Sequence, residues 1–474
     1  MTATLDTSNT PTTQPRWARI ADLLPFSAGP WVVGQLAGEG LKAKAIRGSA
    51  WTMAGFGTQQ VLRLGSNLVL TRLLFPEVFG LMALVQMVLQ GLQMFSDTGL
   101  NASVIQHKDG DRDHFINTAW TLQVVRGGFL WLLTCLLAWP VAAFYDQPEL
   151  MWLIPVVGLN TIVLGFQSTA VLRLQKHVNI KPLVIRELIS RVVSVALMIG
   201  WALIWPTVWA LVAGTVAGAL SQMMLSYWLL PGPRPHFRWD RAAVREMYRF
   251  GRWIFVSTAV TFLLQQGDKA VLGKLISASD LGVYAIAAML SRIVIQVVLR
   301  VNSQVLFPAY SRVANENPQR LRLSIHRTRR ILLMAVLPGV CLLAIFGDTV
   351  VGLLYDSRYQ DAGWIFQLLA VGSVGSVISA SIGNATLAVG DSRRYMITQV
   401  GRATILVAAL AVGASLAGLP GVVIAVAASK FLDYPLLAWS VHHHGLWLPR
   451  LDALAFAAAA SAIGAGWIFV GWPL

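Results

Sequence analysis

Acidic residues are scarce in this chain: 22 Asp and Glu stand against 37 Lys and Arg, for a net charge of +15. Charge of either sign is thin, at 12% of residues, which excludes an ordinary soluble domain, where charged residues make up about a quarter. Only two cysteines occur, Cys135 and Cys341, both inside apolar runs. That excludes a disulfide framework and reads as two small buried side chains. A Gly-rich phosphate loop, a nucleophile elbow and spaced metal ligands are all missing. The one histidine cluster, His442–His444, is consecutive; side chains about 100° apart on a helix make a poor chelating face. No cofactor, metal or catalytic residue is therefore expected, and no connector is long enough to fold as a catalytic domain.

What fills the chain instead is apolar sequence, at 56% of residues and a mean hydropathy of +0.61. Runs on the order of 20 residues, enough to cross a bilayer core, recur almost to the C-terminus. Six are expected near Trp51–Leu70, Phe79–Phe95, Ala119–Trp139, Met151–Val171, Leu183–Trp201 and Thr207–Leu229. Six more lie near Ile254–Leu275, Val283–Val301, Ile331–Leu354, Trp364–Thr386, Met396–Leu416 and Gly421–Ser440, and a last one near Ala453–Phe469. The expected fold is an all-α polytopic membrane protein, and the runs are called spans 1 to 13 below. The stretch before span 1 has no signal-peptide pattern and reads as a cytoplasmic tail, with a short amphipathic segment at Leu23–Leu36.

Orientation follows from the connectors. With the N-terminus inside, the outer connectors hold only Arg72, Lys274 and Arg358, while the other loop cations gather on the inner side. So lopsided a split sets the N-terminus in the cytoplasm. The net charge then reflects insertion and contact with anionic membrane lipids, and nucleic acid is not implied. The connectors at Pro231–Met247 and Pro308–His326 read as basic amphipathic helices on the inner surface.

The second half repeats the first. Leu70–Gly80 aligns with Leu272–Gly282, and the same register pairs Arg47 with Arg249, Trp51 with Trp253, Gly65 with Gly267 and Arg72 with Lys274. Further on, Tyr145-Asp146 resembles Tyr355-Asp356. Six spans per half give both halves the same orientation, the parallel-repeat plan of transporters that rock two bundles about a central site. The expected divisions are a tail at 1–42, bundles at 43–230 and 253–442 joined by a basic connector at 231–252, and an extra transmembrane segment within 443–474. Pro155, Pro338 and Pro435 are expected to interrupt their spans, and Gly372, Gly375, Gly413 and Gly418 to allow close helix approach.

Nine cations fall inside the spans: Arg63, Arg126, Arg186, Arg191, Lys269, Arg292, Arg300, Arg402 and Lys430, opposed at similar depth only by Glu187, Asp268 and Asp433. A charge at mid-bilayer costs about 3 kcal/mol on insertion scales, so such residues face a wet cavity or a partner. A cavity rich in uncompensated cations suits an anionic cargo. Arg63, Arg126, Arg292 and Arg402 are the leading candidates to bind it, with Arg186, Arg191 and Arg300 nearer the cytoplasmic side as an entrance. Lys430 and Asp433, three apart on a helix, are expected to neutralise each other. Asp268 and Lys269 are adjacent and must each find another partner, which makes them, with Lys430 and Asp433, candidates for Na⁺ or H⁺ coupling.

The segment Leu70–Asp109 is the most distinctive in the chain, with its Arg-Leu-Leu…Pro-Glu…Phe-Gly turn and the following Phe-Ser-Asp-Thr-Gly-Leu…Ile-Gln. It resembles the Wzx-type polysaccharide flippases of the multidrug/oligosaccharidyl-lipid/polysaccharide exporter superfamily, and the repeat extends the likeness over roughly 45–442. The resemblance implies a multi-pass transporter of the bacterial inner membrane. Its cargo would be an undecaprenyl-diphosphate-linked oligosaccharide unit, handed on to a polysaccharide polymerase machinery. A thirteenth span departs from the twelve or fourteen common in such transporters. An exporter of small organic cations would want intramembrane carboxylates instead. A membrane-embedded polymerase or ligase would want a large outer loop or a deep catalytic His or acid; the outer loops here are short and no histidine lies deep in a span.

Overall fold

The computed structural model describes residues 41–96, 104, 112–177, 179–230, 232, 234–241, 244, 254–316 and 318–470. The N-terminal tail with Leu23–Leu36, residues 231, 233, 242–243 and 245–252 of the connector and residues 97–103 and 105–109 of the resemblance segment lie outside them. All regular structure among the described residues is helical.

The N-terminal half comprises α1 (Leu41–Leu73), α2 (Pro76–Phe95), α3 (Asp113–Tyr145), α4 (Leu150–Gly165) with α5 (Ala170–Lys176), α6 (Lys181–Ile204) and α7 (Val208–Trp228). The C-terminal half runs through α8 (Ile254–Leu275), α9 (Ala278–Val301), α10 (Phe307–Glu316), α11 (Pro318–Leu354), α12 (Ala362–Gly383) with α13 (Ala385–Ala388), and α14 (Ser392–His442), followed by α15 (Pro449–Val470). Every expected span has a helical counterpart. Spans 11 and 12 are the two arms of α14, which folds back at Ala417 and Gly418, where Gly418 takes φ 55°. A Cβ on Gly413 would meet the Gly421 carbonyl at 2.3 Å, so the two arms touch backbone to backbone beside this hairpin.

Pro155, Pro338 and Pro435 sit inside continuous helices and break none of them, a correction to the sequence reading. Neighbouring helices and local adjustments tolerate the lost hydrogen bond in such settings. The real interruptions are the 66° bend between α4 and α5 and a five-residue π-helical segment, Asn302–Leu306, joining α9 to α10. The inner connector at Pro308–His326 is helical as expected, and its second part runs straight on into α11. The helix expected at Pro231–Met247 is corrected over 234–240, which are not helical: the backbone N–H groups of His236 and Arg238 donate to Asn117 Oδ1 (3.2 Å) and Thr121 Oγ1 (3.0 Å) of α3 instead.

Equivalent positions of the repeat start their helices by different chemistry. Pro76 opens α2 after Phe75, which is held extended (φ −76°, ψ 154°) as a residue before proline is. Ser277 caps α9 by accepting from the Asp280 backbone N–H at 3.1 Å. These two helices then cross at Gly80 and Gly282. A Cβ on Gly80 would lie 1.8 Å from the Ala278 carbonyl oxygen, and one on Gly282 would lie 1.8 Å from that of Pro76. Gly80 pairs with Gly282 and Pro76 with Ala278 in the register read from the sequence, so the contact is reciprocal, as an axis of symmetry along the membrane normal requires.

Contacts between halves concentrate at that same end. The Tyr355 hydroxyl donates to Asn67 Oδ1 at 2.8 Å, and its repeat counterpart Tyr145 donates to the Ala270 carbonyl at 3.3 Å. Tyr359 adds a bond to the Leu74 carbonyl (2.9 Å), and Lys274 pairs with Asp146 (2.6 Å). An apolar cluster including Leu74, Leu84, Leu281, Val351 and Phe366 fills the space between them. This end of the molecule is sealed.

Helix α15, 22 residues and so about 33 Å long, suffices to cross a bilayer. It packs on α11 and α12 through Ala459 and Ile463, and Trp467 Nε1 donates to the Ala344 carbonyl at 3.1 Å.

Candidate functional site

Between the halves lie two adjoining cavities, of about 650 and 1050 Å³. They share Arg63 of α1, Gln90 of α2 and Gln296 of α9 as a common wall. The larger belongs to the N-terminal half. The smaller is formed by the C-terminal half and extends away from the sealed end to Asn302, Asn384 and Tyr395.

Helix periodicity selects which predicted cations reach the water. On α6, Glu187, Ser190, Arg191 and Ser194 form one stripe facing the larger cavity. Arg186 precedes Arg191 by five positions, about 140° around the helix. Its buried side chain turns from the cavity and reaches Gln167 Oε1 at 3.5 Å, in the bend between α4 and α5. Arg126 is also absent from both walls. Its guanidinium ties α3 to the end of α2, donating to Ser96 Oγ at 2.9 Å and the Gln93 carbonyl at 2.9 Å. Of the candidate cations, these two do not line either cavity.

Seven of the nine expected cations do line the cavities: Arg63, Arg191 and Arg300 in the larger, and Arg63, Lys269, Arg292, Arg402 and Lys430 in the smaller. Asp268 and Glu187 are the acidic side chains on these walls. Two arginines are neutralised. Arg292 Nη2 lies 3.0 Å from Asp268 Oδ2, and Arg402 Nε lies 3.0 Å from Asp433 Oδ2, with Asp433 behind the wall. The pair expected within one helix, Lys430 with Asp433, does not form; Asp433 turns to the neighbouring arm of α14 instead.

The other five cations have no salt bridge among the described residues. Lys269 Nζ donates to Gln266 Oε1 at 3.1 Å, and Arg300 stacks over Phe56 at 4.9 Å. Arg63 lies within electrostatic reach of both Arg191 and Arg292, so three like charges crowd the junction of the cavities. Around them the walls are amide and hydroxyl side chains, among them Gln60, Gln90, Gln265, Gln296 and Ser373. Such a surface holds an anion by charge and hydrogen-bonds a polyhydroxylated group beside it.

Sequence reasoning missed one buried ion pair. Arg329, placed with the inner-connector cations, is fully buried, with Nη2 2.5 Å from Asp452 Oδ1 and Nε 2.9 Å from Ser381 Oγ. The Tyr434 hydroxyl donates to Asp452 Oδ2 at 2.7 Å. Asp452 is the only acid after Asp433, and that isolation was the one available signal.

Fold and cavity together define a class: two-bundle, all-α membrane proteins with a cationic central chamber. Solved structures of this fold include the lipid II flippase MurJ in an inward closed conformation, at TM-score 0.70 and 10% identity over 88% of this chain and 92% of that one. An inward-facing multidrug-resistance MATE transporter of the MOP superfamily follows, at TM-score 0.62 and 15% identity over 82% and 94%. The sequence pattern of the family described as Polysaccharide biosynthesis protein matches residues 69–363, and the chain belongs to that family. The lipopolysaccharide biosynthesis protein WzxC of Escherichia coli (strain K12) is 22% identical over 446 residues, covering 90% of this chain and 88% of that protein. The succinoglycan biosynthesis transport protein ExoT of Rhizobium meliloti (strain 1021) is 26% identical over 311 residues, or 64% and 61%.

Proposed function

We propose that this protein is a flippase of polysaccharide biosynthesis, moving an undecaprenyl-diphosphate-linked oligosaccharide unit across the bacterial inner membrane without changing it chemically. One observation carries the reading: Arg63, Arg191, Lys269, Arg300 and Lys430 stand on cavity walls between two apolar bundles with no carboxylate of the described residues bound to them. Unpaired cations at membrane depth are costly, and a diphosphate is the anion that a relative of polysaccharide transport proteins would meet there. Amide-lined walls suit the sugar. The polyprenyl tail would lie along the seam of α1 and α9, which meet through the ends of side chains, Gln60 with Gln296 and Phe56 with Arg300. By contrast α2 and α8 close on each other along Gly91, Phe95 and Phe262.

The N-terminus is assigned to the cytoplasm by the distribution of basic residues, which makes the sealed end periplasmic. Cargo then enters from the cytoplasmic side, the halves rock about the central site, and the sealed end opens as the Gly80–Gly282 crossing parts. A Na⁺ or H⁺ gradient acting on Asp268 or Asp433 is the proposed driving force; an Asp268→Asn variant with fully gradient-dependent transport would rule out Asp268. A polymerase of the same pathway is the proposed recipient of the cargo, and co-purification of the two from cross-linked membranes tests that contact.

The test is the location of the lipid-linked unit in a deletion strain. Loss of the protein should leave it on the cytoplasmic leaflet with no polymer made, and wild type should restore export. Arg63→Gln, at normal protein level, should lower export by about tenfold or more, as losing a charge-assisted contact to cargo would. Arg126→Gln, away from both cavities, should lower it far less. A lipid-linked unit that reaches the periplasmic face in the deletion strain refutes the flippase reading.

A further inference from the structure

The donors around Asp268 are arranged unequally. Arg292 Nη2 and the Tyr284 hydroxyl both donate to Oδ2, at 3.0 and 2.6 Å, and the backbone N–H of Lys269 donates to Oδ1 at 2.9 Å. Asp268 and Tyr284 are buried and fixed, whereas the Arg292 side chain is 33% exposed on the cavity wall. The second neutralised arginine repeats the pattern, Arg402 being 28% exposed and its partner Asp433 only 3%. In each pair the carboxylate is the buried member and the guanidinium the one that reaches the cavity wall, where Arg292 Nη2 also donates to the Gln265 carbonyl at 3.1 Å and Arg402 Nη1 to Gln399 Oε1 at 3.0 Å. Lys430 stands within electrostatic reach of all four groups, with no salt bridge among the described residues, so one connected field links α8, α9 and both arms of α14.

Resting on the cargo reading above, we propose that Asp268 is a resident substitute for the cargo's phosphate. It neutralises Arg292 while the cavity is empty and yields it when a diphosphate enters. Tyr284 makes the exchange affordable, because its hydroxyl stays on the oxygen that Arg292 leaves. A buried carboxylate stripped of every donor would resist the exchange; one that keeps a hydroxyl and a backbone N–H does not. The consequence is a binding site whose affinity is set by competition. The cargo sees only the fraction of molecules in which Arg292 is free, so it binds more weakly than the count of cations suggests and can be released on the far side.

This reading gives opposite signs to two neighbouring variants. Undecaprenyl diphosphate binding to the detergent-purified full-length protein is the measurement. Asp268→Asn removes the competitor and should tighten binding by about tenfold, a usual size for coupling between interacting groups. Tyr284→Phe leaves the carboxylate more dependent on Arg292 and should weaken binding by about threefold. In an Arg292→Gln background, already weaker than wild type, Asp268→Asn should add nothing. Unchanged or weaker binding by a folded Asp268→Asn overturns the exchange. If Asp268→Asn does not fold, a Tyr284→Phe variant that binds as well as wild type overturns it alone. A wild-type protein that fails to bind the probe refutes the cargo reading itself, and the exchange falls with it.

Discussion

Substituting Gly80 by alanine places one methyl group at the crossing of α2 and α9. Its Cβ would start 1.8 Å from the Ala278 carbonyl oxygen, where ordinary contact begins at 3.4 Å. The atom in the way is backbone, so no rotamer change relieves it, and the helices must part by about 1.6 Å. Overpacking of this kind costs about 1–3 kcal/mol. Because the crossing lies at the sealed end, that cost falls on the sealed conformation and shifts its balance with an unsealed one by roughly 5- to 150-fold. The readout is labelling, by a membrane-impermeant maleimide added on the sealed side, of a cysteine introduced at Gln265 on the cavity wall, with Cys135 and Cys341 replaced. Gly80→Ala should raise the labelling rate and lower the melting temperature. Gly282→Ala should do the same, since its Cβ meets the Pro76 carbonyl at the same 1.8 Å. The double variant should cost less than the sum, because both methyls press on one contact. Gly57→Ala, with nothing within 4 Å, is the control. Labelling that rises no more in Gly80→Ala than in Gly57→Ala would show that this crossing does not hold the seal.

Two further outcomes are expected. Asp452→Asn or Arg329→Met alone should destabilise the protein by about 3–5 kcal/mol, by stranding the buried partner, whereas Arg329→Met with Asp452→Leu should cost less than either; a cycle of melting temperatures decides. At the start of α14, the backbone N–H and guanidinium of Arg394 hold the Asp391 carboxyl down from 3.8 to about 2. A depressed carboxylate stabilises the fold above its ordinary value, and that contribution is lost as pH falls through 4 towards 2. Asp391→Asn should therefore flatten the dependence of melting temperature on pH in that window, and an unchanged slope would assign the acid sensitivity elsewhere.

The apolar runs were legible because bilayer thickness sets a length that they must meet, and each has a helical counterpart; among the described residues nine helices, or ten counting the bent α4–α5 pair, are long and apolar enough to cross a membrane. The repeat was legible too, and its register reappears as a physical contact at Gly80 and Gly282. Prolines misled because a helix packed among others keeps its course without one hydrogen bond, so Pro155, Pro338 and Pro435 lie in unbroken helices. The π-helical turn at Asn302–Leu306, which puts Asn302 on the cavity wall, has no local signature of that kind.

For the charges, the line between sequence and structure is sharper. Composition and position alone determined that cations outnumber acids at membrane depth, and the cost of burying them demanded water, partners or an anion. Which cation took which course was decided in three dimensions. Arg186 and Arg191 differ by five positions, so one faces protein and the other the cavity. Asp433 has Lys430 three residues away yet pairs with Arg402 across the hairpin, and Arg329 finds Asp452 on a helix 123 positions further on. Insertion depends on the hydropathy of one segment at a time and is written locally. An ion pair depends on where distant helices come to rest, and only packing sets that.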